Sequence, residues 1–206
     1  MKLYHGTSAR NLKSILAGGI QPRGGQAGNW ENFPSRDDMV YLSATYAPYF
    51  ALQALEDRED GTEDNVMLVL EIDTDRLAEH KLHPDEDFIA QALSHQRGCS
   101  IEDCHEEVRE SLEGYQHHWR DSIAGLGNAA YMGTVPPSAI TRYCTIDLSN
   151  YKEWLFICDP TISLLNYKFM GERYRSVMQW LFGERPDFLL GYGPNEVHFE
   201  VMRQVH

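Results

Sequence analysis

The run of residues 66–72 constrains the fold more than any other stretch of this sequence. It reads VMLVLEI and is apolar at every position except one glutamate. A strand with one solvated face alternates apolar and polar residues, whereas a strand covered on both faces is apolar nearly throughout. The run therefore predicts a central strand with packed layers on both sides.

The elements predicted around this strand do not follow the regular βαβ alternation of a doubly wound sheet. Further strands are expected at residues 39–43, 129–132, 140–146, 154–158 and 196–205, and helices at residues 46–55, 84–93, 101–119 and 164–182. The fold class predicted is α+β, with two small β-sheets packed together and helices at the periphery. No repeat or linker interrupts the sequence, which predicts a single domain over residues 1–206.

The charge of the chain bears on its partners. The 206 residues carry a formal net charge of −13. Phosphate contacts supply much of the affinity of nucleic-acid-binding proteins, which therefore present a basic face. The acidic excess disfavours tight non-specific binding of RNA or DNA. A macromolecular partner is expected to be a protein rather than a nucleic acid.

The composition also bears on the compartment. No apolar run reaches bilayer length, and the first residues lack the apolar core of a signal peptide, so we expect a cytoplasmic protein without a membrane partner. The four cysteines show no tight disulfide framework, which is typical of a reducing compartment. Cys99, Cys104 and His105 lie close in sequence, but structural zinc sites use tighter paired spacings, and we expect no metal.

The stretch LYHGT at residues 3–7 carries the candidate chemistry. It predicts a short strand broken by a His-Gly turn and followed by a helix, with Thr7 or Ser8 as the N-cap and a Gly-Gly pair as the stop. Gly6 has no Cβ, so backbone there can approach a ligand closely. The arrangement would place backbone N–H groups and the imidazole of His5 in one small pocket.

Residues 3–21 (LYHGTSARNLKSILAGGIQ) and 40–43 (VYLS) resemble the NAD-binding half of the ADP-ribosyltransferase superfamily. The tRNA 2′-phosphotransferases carry a similar Tyr-His-Gly-Thr strand, a helix ending in Gly, a Val-His-Leu-Ser strand and a later segment like VPPSAI at residues 135–140. The poly(ADP-ribose) polymerases carry a similar pattern, which here corresponds to His5-Gly6-Thr7, Asn11, Gly19 and Tyr41. The resemblance covers the first quarter of the chain well and the rest loosely, and it implies an ADP-ribosyltransferase-like fold.

The resemblance implies that NAD is the substrate and assigns roles to individual residues. His5 would bind ribose hydroxyls, backbone at Gly6 would recognise the nicotinamide carboxamide, and Tyr41 would stack on the nicotinamide ring. Ser43 or Thr45 would hydrogen-bond to the carboxamide, and an arginine would meet the pyrophosphate. The complete NAD-binding set that it implies is His5, Gly6, Thr7, Asn11, Gly19, Arg23, Arg36, Tyr41, Ser43 and Tyr49.

The catalytic glutamate of such enzymes has two candidate positions in this sequence, and the catalytic set is therefore His5, Tyr41 and either Glu196 or Asn128. Asn195-Glu196-Val197 resembles the Asn-Glu-Tyr of the polymerases. The other alignment places the carboxylate just before the Val-Pro-Pro segment, where this chain has Asn128. The resemblance favours Glu196, and Asn128 stays open.

The function that the resemblance implies is NAD-dependent mono-ADP-ribosyl transfer to a macromolecular target with release of nicotinamide, in the manner of a bacterial or phage effector or toxin. One alternative is an RNA 2′-phosphotransferase-like or RNA- or DNA-modifying activity. It is disfavoured because Tyr4 leaves no room for a preceding basic lobe. A non-catalytic acidic NAD-binding or decoy module is another alternative.

Overall fold

The fold is built on an antiparallel sheet with helices packed against it. The structure, a computed structural model, describes residues 1–25, 35–55, 64–147 and 199–201. Its strands are β1 (Lys2–Ser8), β2 (Met39–Ser43), β3 (Val66–Asp73), β4 (Leu82–Pro84), β5 (Asn128–Met132), β6 (Ile140–Asp147) and β7 (Phe199–Val201). Its helices are α1 (Leu12–Gly18), α2 (Ala47–Gln53), α3 (Glu86–Arg97), α4 (Ile101–Ser111) and α5 (Trp119–Gly125).

Strand β3 is an interior strand, as its apolar run predicts. The order of strands in the sheet is β4-β5-β2-β1-β3-β6-β7, so β3 pairs with β1 on one side and with β6 on the other. Residues 67–72 are buried. The one acidic residue among them, Glu71, is 2% exposed, accepts a 2.6 Å hydrogen bond from Thr141 Oγ1 and pairs with Arg142. A buried carboxylate is tolerated in this strand because it has such partners.

The pairing of β1 with β2 is much shorter than its pairing with β3. All seven residues of β1 are in register with β3, whereas β1 and β2 share only the pair Tyr4↔Ser43. This junction divides the sheet into a part formed by β4, β5 and β2 and a part formed by the other four strands. The α+β class is confirmed. The expectation of two packed sheets is not confirmed, because all the described strands join one sheet.

The predicted break of β1 at the His-Gly-Thr triplet is wrong. The strand continues to Ser8, since His5, Gly6 and Thr7 pair with residues 68–70 of β3. Ser8 then begins the next turn, and its Oγ accepts a hydrogen bond from the Arg10 N–H. A ladder to a buried partner strand thus overrides the turn preference of the triplet.

Two apolar clusters lie on opposite faces of β2. Val40 and Leu42 belong to a large cluster that includes Leu3 of β1 and Ile15 of α1. Met39 belongs to a second cluster, in which α3 and α4 contribute residues such as Ile89 and Val108. Alternation of side chains along the strand explains the division, since successive residues point to opposite faces.

The later elements follow the predictions in part. The helix expected at residues 101–119 is divided into α4, a 3-10 turn (Leu112–His118) and α5. Short strand β4 was not predicted. The strand at 154–158 and the helix at 164–182 lie outside the described residues, and of the expected last strand the structure describes β7. Among the helices described, none has the length and apolar character needed to cross a bilayer.

The cysteine spacing indicated no tight disulfide framework, yet two of the cysteines are bonded to each other in the described part of the chain. Cys99 and Cys104 are joined across the turn between α3 and α4, with their Cα atoms 7.0 Å apart. Gly98 ends α3 with a φ of +69°, and this left-handed residue turns the chain back toward α4.

Gly6 provides a test of the close packing of α2 on β1. A Cβ at this position would overlap the Ala47 carbonyl oxygen and lie 2.6 Å from the Ala51 backbone nitrogen. We expect Gly6→Ala to lower the free energy of unfolding by about 1–3 kcal/mol or more, the range for overpacking. Gly114→Ala is the matched control, because nothing lies within 4 Å of the added carbon. Urea unfolding of both variants measures the difference, and equal stabilities would contradict this packing.

Candidate functional site

The imidazole of His5 bridges β1 and β2 beyond their single pair. Its Nδ1 lies 2.9 Å from the carbonyl oxygen of Tyr41. A carbonyl oxygen only accepts hydrogen bonds, so Nδ1 carries the proton and Nε2 carries a lone pair. Burial lowers the pKa of His5, and the ring is neutral at pH 7. In the described ranges Nε2 has no protein partner, so His5 offers a hydrogen-bond acceptor to a ligand.

The ring of Tyr41 is held at its hydroxyl. The hydroxyl donates to Glu86 Oε1 at 2.5 Å and accepts from the Arg36 N–H at 2.9 Å. Burial, reinforced by the negative charge of Glu86, raises the pKa of Tyr41 well above its usual value. The phenol therefore keeps its proton at physiological pH and does not act as an acid. The ring packs against the apolar cluster of Met39, α3 and α4, and what Tyr41 offers to a ligand is the part of this half-buried ring that stays accessible.

Glu86 belongs to this site, and sequence reasoning missed it as a site residue. It is 1% exposed, stands in the first turn of α3, and accepts a second hydrogen bond from the Arg36 N–H at 3.1 Å. Asp85 caps that helix through its Oδ1 and the Asp87 N–H. From sequence, Glu86 reads as one of several acids that favour a helix N-terminus. No sequence signal distinguishes Glu86 from the acids on either side of it, because its partners come from residues 36–41.

The two arginines expected at a pyrophosphate have different surroundings. Arg36 makes a two-pronged ion pair with Asp38, at 2.9 and 2.7 Å, and a third contact with Glu113 at 3.0 Å. Hydrogen bonds to Asp38 raise the pKa of Arg36 further. Its guanidinium is thus already engaged by two carboxylates. Arg23 donates a hydrogen bond to the Ser35 carbonyl oxygen at 2.6 Å, and toward the described residues its guanidinium forms no ion pair with a carboxylate.

Two glycines of the expected set have packing roles. Gly6 allows the close approach of α2, as described above. Gly19 follows α1 with a φ of +84°, and a Cβ there would overlap the Val135 carbonyl oxygen. That contact joins the end of α1 to the segment before Pro136, where Ile20 and Val135 form a β-bridge. Ligand contacts by either glycine stay predictions.

The remaining residues of the set are held by local contacts. Thr7 Oγ1 accepts a hydrogen bond from Asn11 Nδ2 at 3.1 Å, which ties β1 to the turn after it. Tyr49 of α2 lies edge-on to Phe50, with ring centroids 5.7 Å apart. Ligand contacts by these residues also stay predictions.

Ser43 and Asn128 lie opposite each other on β2 and β5. Ser43 Oγ donates to the Gly127 carbonyl oxygen at 3.0 Å and accepts from the N–H groups of Thr45 and Tyr46 at the start of α2. Asn128 is 5% exposed, and its Oδ1 is buried without a hydrogen-bond partner in the described part of the chain. Glu196, the favoured catalytic carboxylate, lies outside the described residues.

Comparisons with known proteins give weak structural likenesses. No protein-family model matches the chain, and no curated protein matches its sequence. Among solved structures, EcPltA is similar with a TM-score of 0.39 and 13% identity over 70% of this chain and 75% of that chain. Nicked CARDS toxin is similar with a TM-score of 0.38 and 14% identity over 71% of this chain and 25% of that chain, so the likeness spans a quarter of that structure. Likenesses this weak define neither fold nor activity.

The lowered pKa of His5 predicts a pH dependence of stability. Unfolded His5 titrates near 6.5, whereas folded His5 titrates lower. The contribution of the neutral His5 ring to the free energy of unfolding is therefore fully present above pH 6.5. It is lost as the pH falls toward the folded pKa, by at most about 1.4 kcal/mol per pH unit, because the unfolded chain takes up a proton that the folded ring refuses.

The matched variant is His5→Asn, whose amide N–H can still donate to the Tyr41 carbonyl but does not titrate. Urea unfolding from about pH 8 to about pH 5 should show wild type losing stability relative to this variant below pH 6.5. Parallel profiles would contradict a buried neutral imidazole.

Proposed function

We propose that this protein is an NAD⁺-dependent mono-ADP-ribosyltransferase that modifies a macromolecular target, with a protein as the favoured target. The observation that carries the proposal is the neutral imidazole of His5, which spans the gap between β1 and β2 and keeps the lone pair of Nε2 for a ligand. An aromatic ring that is fixed at its hydroxyl belongs to the same stretch of β2.

These groups suit NAD⁺, which supplies a ribose with a labile bond to nicotinamide. His5 Nε2 accepts a hydrogen bond from a ribose hydroxyl, as a neutral acceptor should. The ring of Tyr41 meets the cationic nicotinamide, which an aromatic face attracts. Arg23 takes the pyrophosphate in preference to Arg36, whose guanidinium is already paired with Asp38 and Glu113. In the transfer, the ribose bond to nicotinamide breaks, a bond to the target nucleophile forms, and the nucleophile loses its proton.

The third catalytic group in this proposal is Glu196. A carboxylate stabilises the positive charge that develops on the ribose, whereas a neutral amide does so far less. Asn128 is the alternative, and its buried Oδ1, on the strand opposite Ser43, has no hydrogen-bond partner among the described residues. An amide at that place would orient a ligand without supplying charge.

The acidity of the chain favours a basic protein as the target. A net charge of −13 attracts cationic surfaces over distances of about a Debye length and repels nucleic-acid phosphates. Long-range attraction of this kind raises the rate of encounter.

The activity is tested by incubating wild type and His5→Asn with labelled NAD⁺ and whole-cell lysate. We expect nicotinamide release and protease-sensitive, nuclease-resistant labelling with wild type, and little of either with His5→Asn, because the acceptor at Nε2 is gone. Nuclease-sensitive label would move the target to nucleic acid. An absence of NAD⁺ binding at millimolar ligand, measured by calorimetry, would overturn the proposal.

The catalytic carboxylate is tested by Glu196→Gln, which keeps the shape of the side chain and removes its charge. We expect transfer to slow by about two to three orders of magnitude, the scale for losing one electrostatic stabiliser. Affinity for NAD⁺ should change much less, since the effect belongs to the transition state. Asn128→Ala is the comparison and should transfer at nearly the wild-type rate. The reverse pattern of rates would assign the third position to Asn128.

A further inference from the structure

Three groups around the hydroxyl of Tyr41 contact one another. The hydroxyl donates to Glu86 Oε1 at 2.5 Å, and the N–H of Arg36 lies 2.9 Å from the hydroxyl and 3.1 Å from the same carboxylate oxygen. They come from β2, from the segment just before it and from the first turn of α3. The phenol thus has both a donor and an acceptor in place.

The carboxylate in this group is costly to bury. Glu86 is 1% exposed, and within the described ranges it forms no ion pair with a lysine or arginine side chain. A buried charge without a counter-ion destabilises a fold, and a neutral side chain of the same size would cost less. A charged acceptor, however, makes a shorter and stronger hydrogen bond than a neutral one. The buried carboxylate therefore lowers the free energy of unfolding, but it holds the hydroxyl of Tyr41 through a strong hydrogen bond.

The hydrogen bonds to the Tyr41 hydroxyl restrict the orientation of the ring as well as the position of the oxygen. The O–H bond of a phenol lies in the plane of its ring, because the oxygen lone pair conjugates with the ring. The hydrogen bond to Glu86 therefore favours ring planes that pass near that carboxylate oxygen, and the ring also packs against the apolar cluster formed with α3 and α4. The accessible part of a ring so restricted can contact a ligand with little further loss of side-chain freedom on binding.

We propose that Glu86 is a positioning residue for nicotinamide recognition, acting through Tyr41 and not by touching the ligand. This inference rests on the proposed function and deepens it, since it names what orients the stacking ring. A purely structural tie between α3 and β2 is the competing explanation. If that explanation holds, Glu86→Gln would change the free energy of unfolding and leave the Kd for NAD⁺ as in wild type.

The test is a double-mutant cycle with Glu86→Gln, Tyr41→Phe and the double variant. Glu110→Gln is the control, because it removes the same charge from an exposed position on α4. Calorimetry gives the Kd for NAD⁺ and for ADP-ribose, which lacks the nicotinamide ring. We expect Glu86→Gln to weaken NAD⁺ about tenfold and ADP-ribose less than about twofold, as lost preorganisation at one ring should. In the Tyr41→Phe background, Glu86→Gln should have almost no further effect on the Kd for NAD⁺.

Three results would overturn the inference while leaving the proposed function intact. These are a wild-type Kd for NAD⁺ in Glu86→Gln, equal weakening of both ligands, and additive effects of the two substitutions. If Glu86→Gln does not fold, Tyr41→Phe breaks the same bond from the other end and should show the same selective loss of NAD⁺. A wild-type protein that binds ADP-ribose but not NAD⁺, or neither ligand, would instead overturn the proposed function and this inference with it.

Discussion

The separation of β1 from β2 is the feature on which the site depends. Beyond the pair Tyr4↔Ser43 the two strands share no ladder, so the backbone carbonyl of Tyr41 needs another partner. The imidazole of His5 supplies it at 2.9 Å. This one hydrogen bond satisfies the carbonyl, fixes the tautomer of the ring and leaves Nε2 for a ligand. The short pairing of β1 with β2 therefore explains both why the His5 ring lies between these strands and why its Nε2 is left for a ligand.

Helix α3 and the segment before β2 supply the polar groups that hold the hydroxyl of Tyr41. Helix α3 begins where β4 ends, and its first turn carries Glu86 to the phenol. Arg36 contributes its backbone N–H to this group, while its side chain pairs with Asp38 and Glu113. The same residue therefore joins the strand entry, the helix start and the turn after α4. Buried polar groups that hydrogen-bond to one another in this way stiffen a structure, and a stiff site binds without a large ordering cost.

Prediction from sequence succeeded where a local pattern sets the answer and failed where a distant partner does. Strand β2 has the predicted bounds, and the apolar run at residues 66–72 lies in an interior strand, because both follow from side-chain periodicity. The break predicted in β1 did not occur, since pairing with β3 outweighs the turn preference of His5-Gly6-Thr7. Gly6 was expected to admit a ligand, yet its missing Cβ first of all admits α2. His5 and Tyr41 were found as candidates from a resemblance, but Glu86 was not, since its partners are about fifty residues away in sequence.

The sequence by itself determined the strands and helices with strong periodicity, the acidic net charge, and the chemical types at residues 5, 41 and 196. Each of these is a property of nearby residues or of composition. Only the tertiary structure decided that β1 passes through the triplet, that the sheet opens beside Tyr41, and that Glu86 is buried against a phenol. Those outcomes depend on which strand pairs with which and on where a helix begins relative to a strand. A hydrogen bond between residues far apart in the chain has no local pattern from which it could be read.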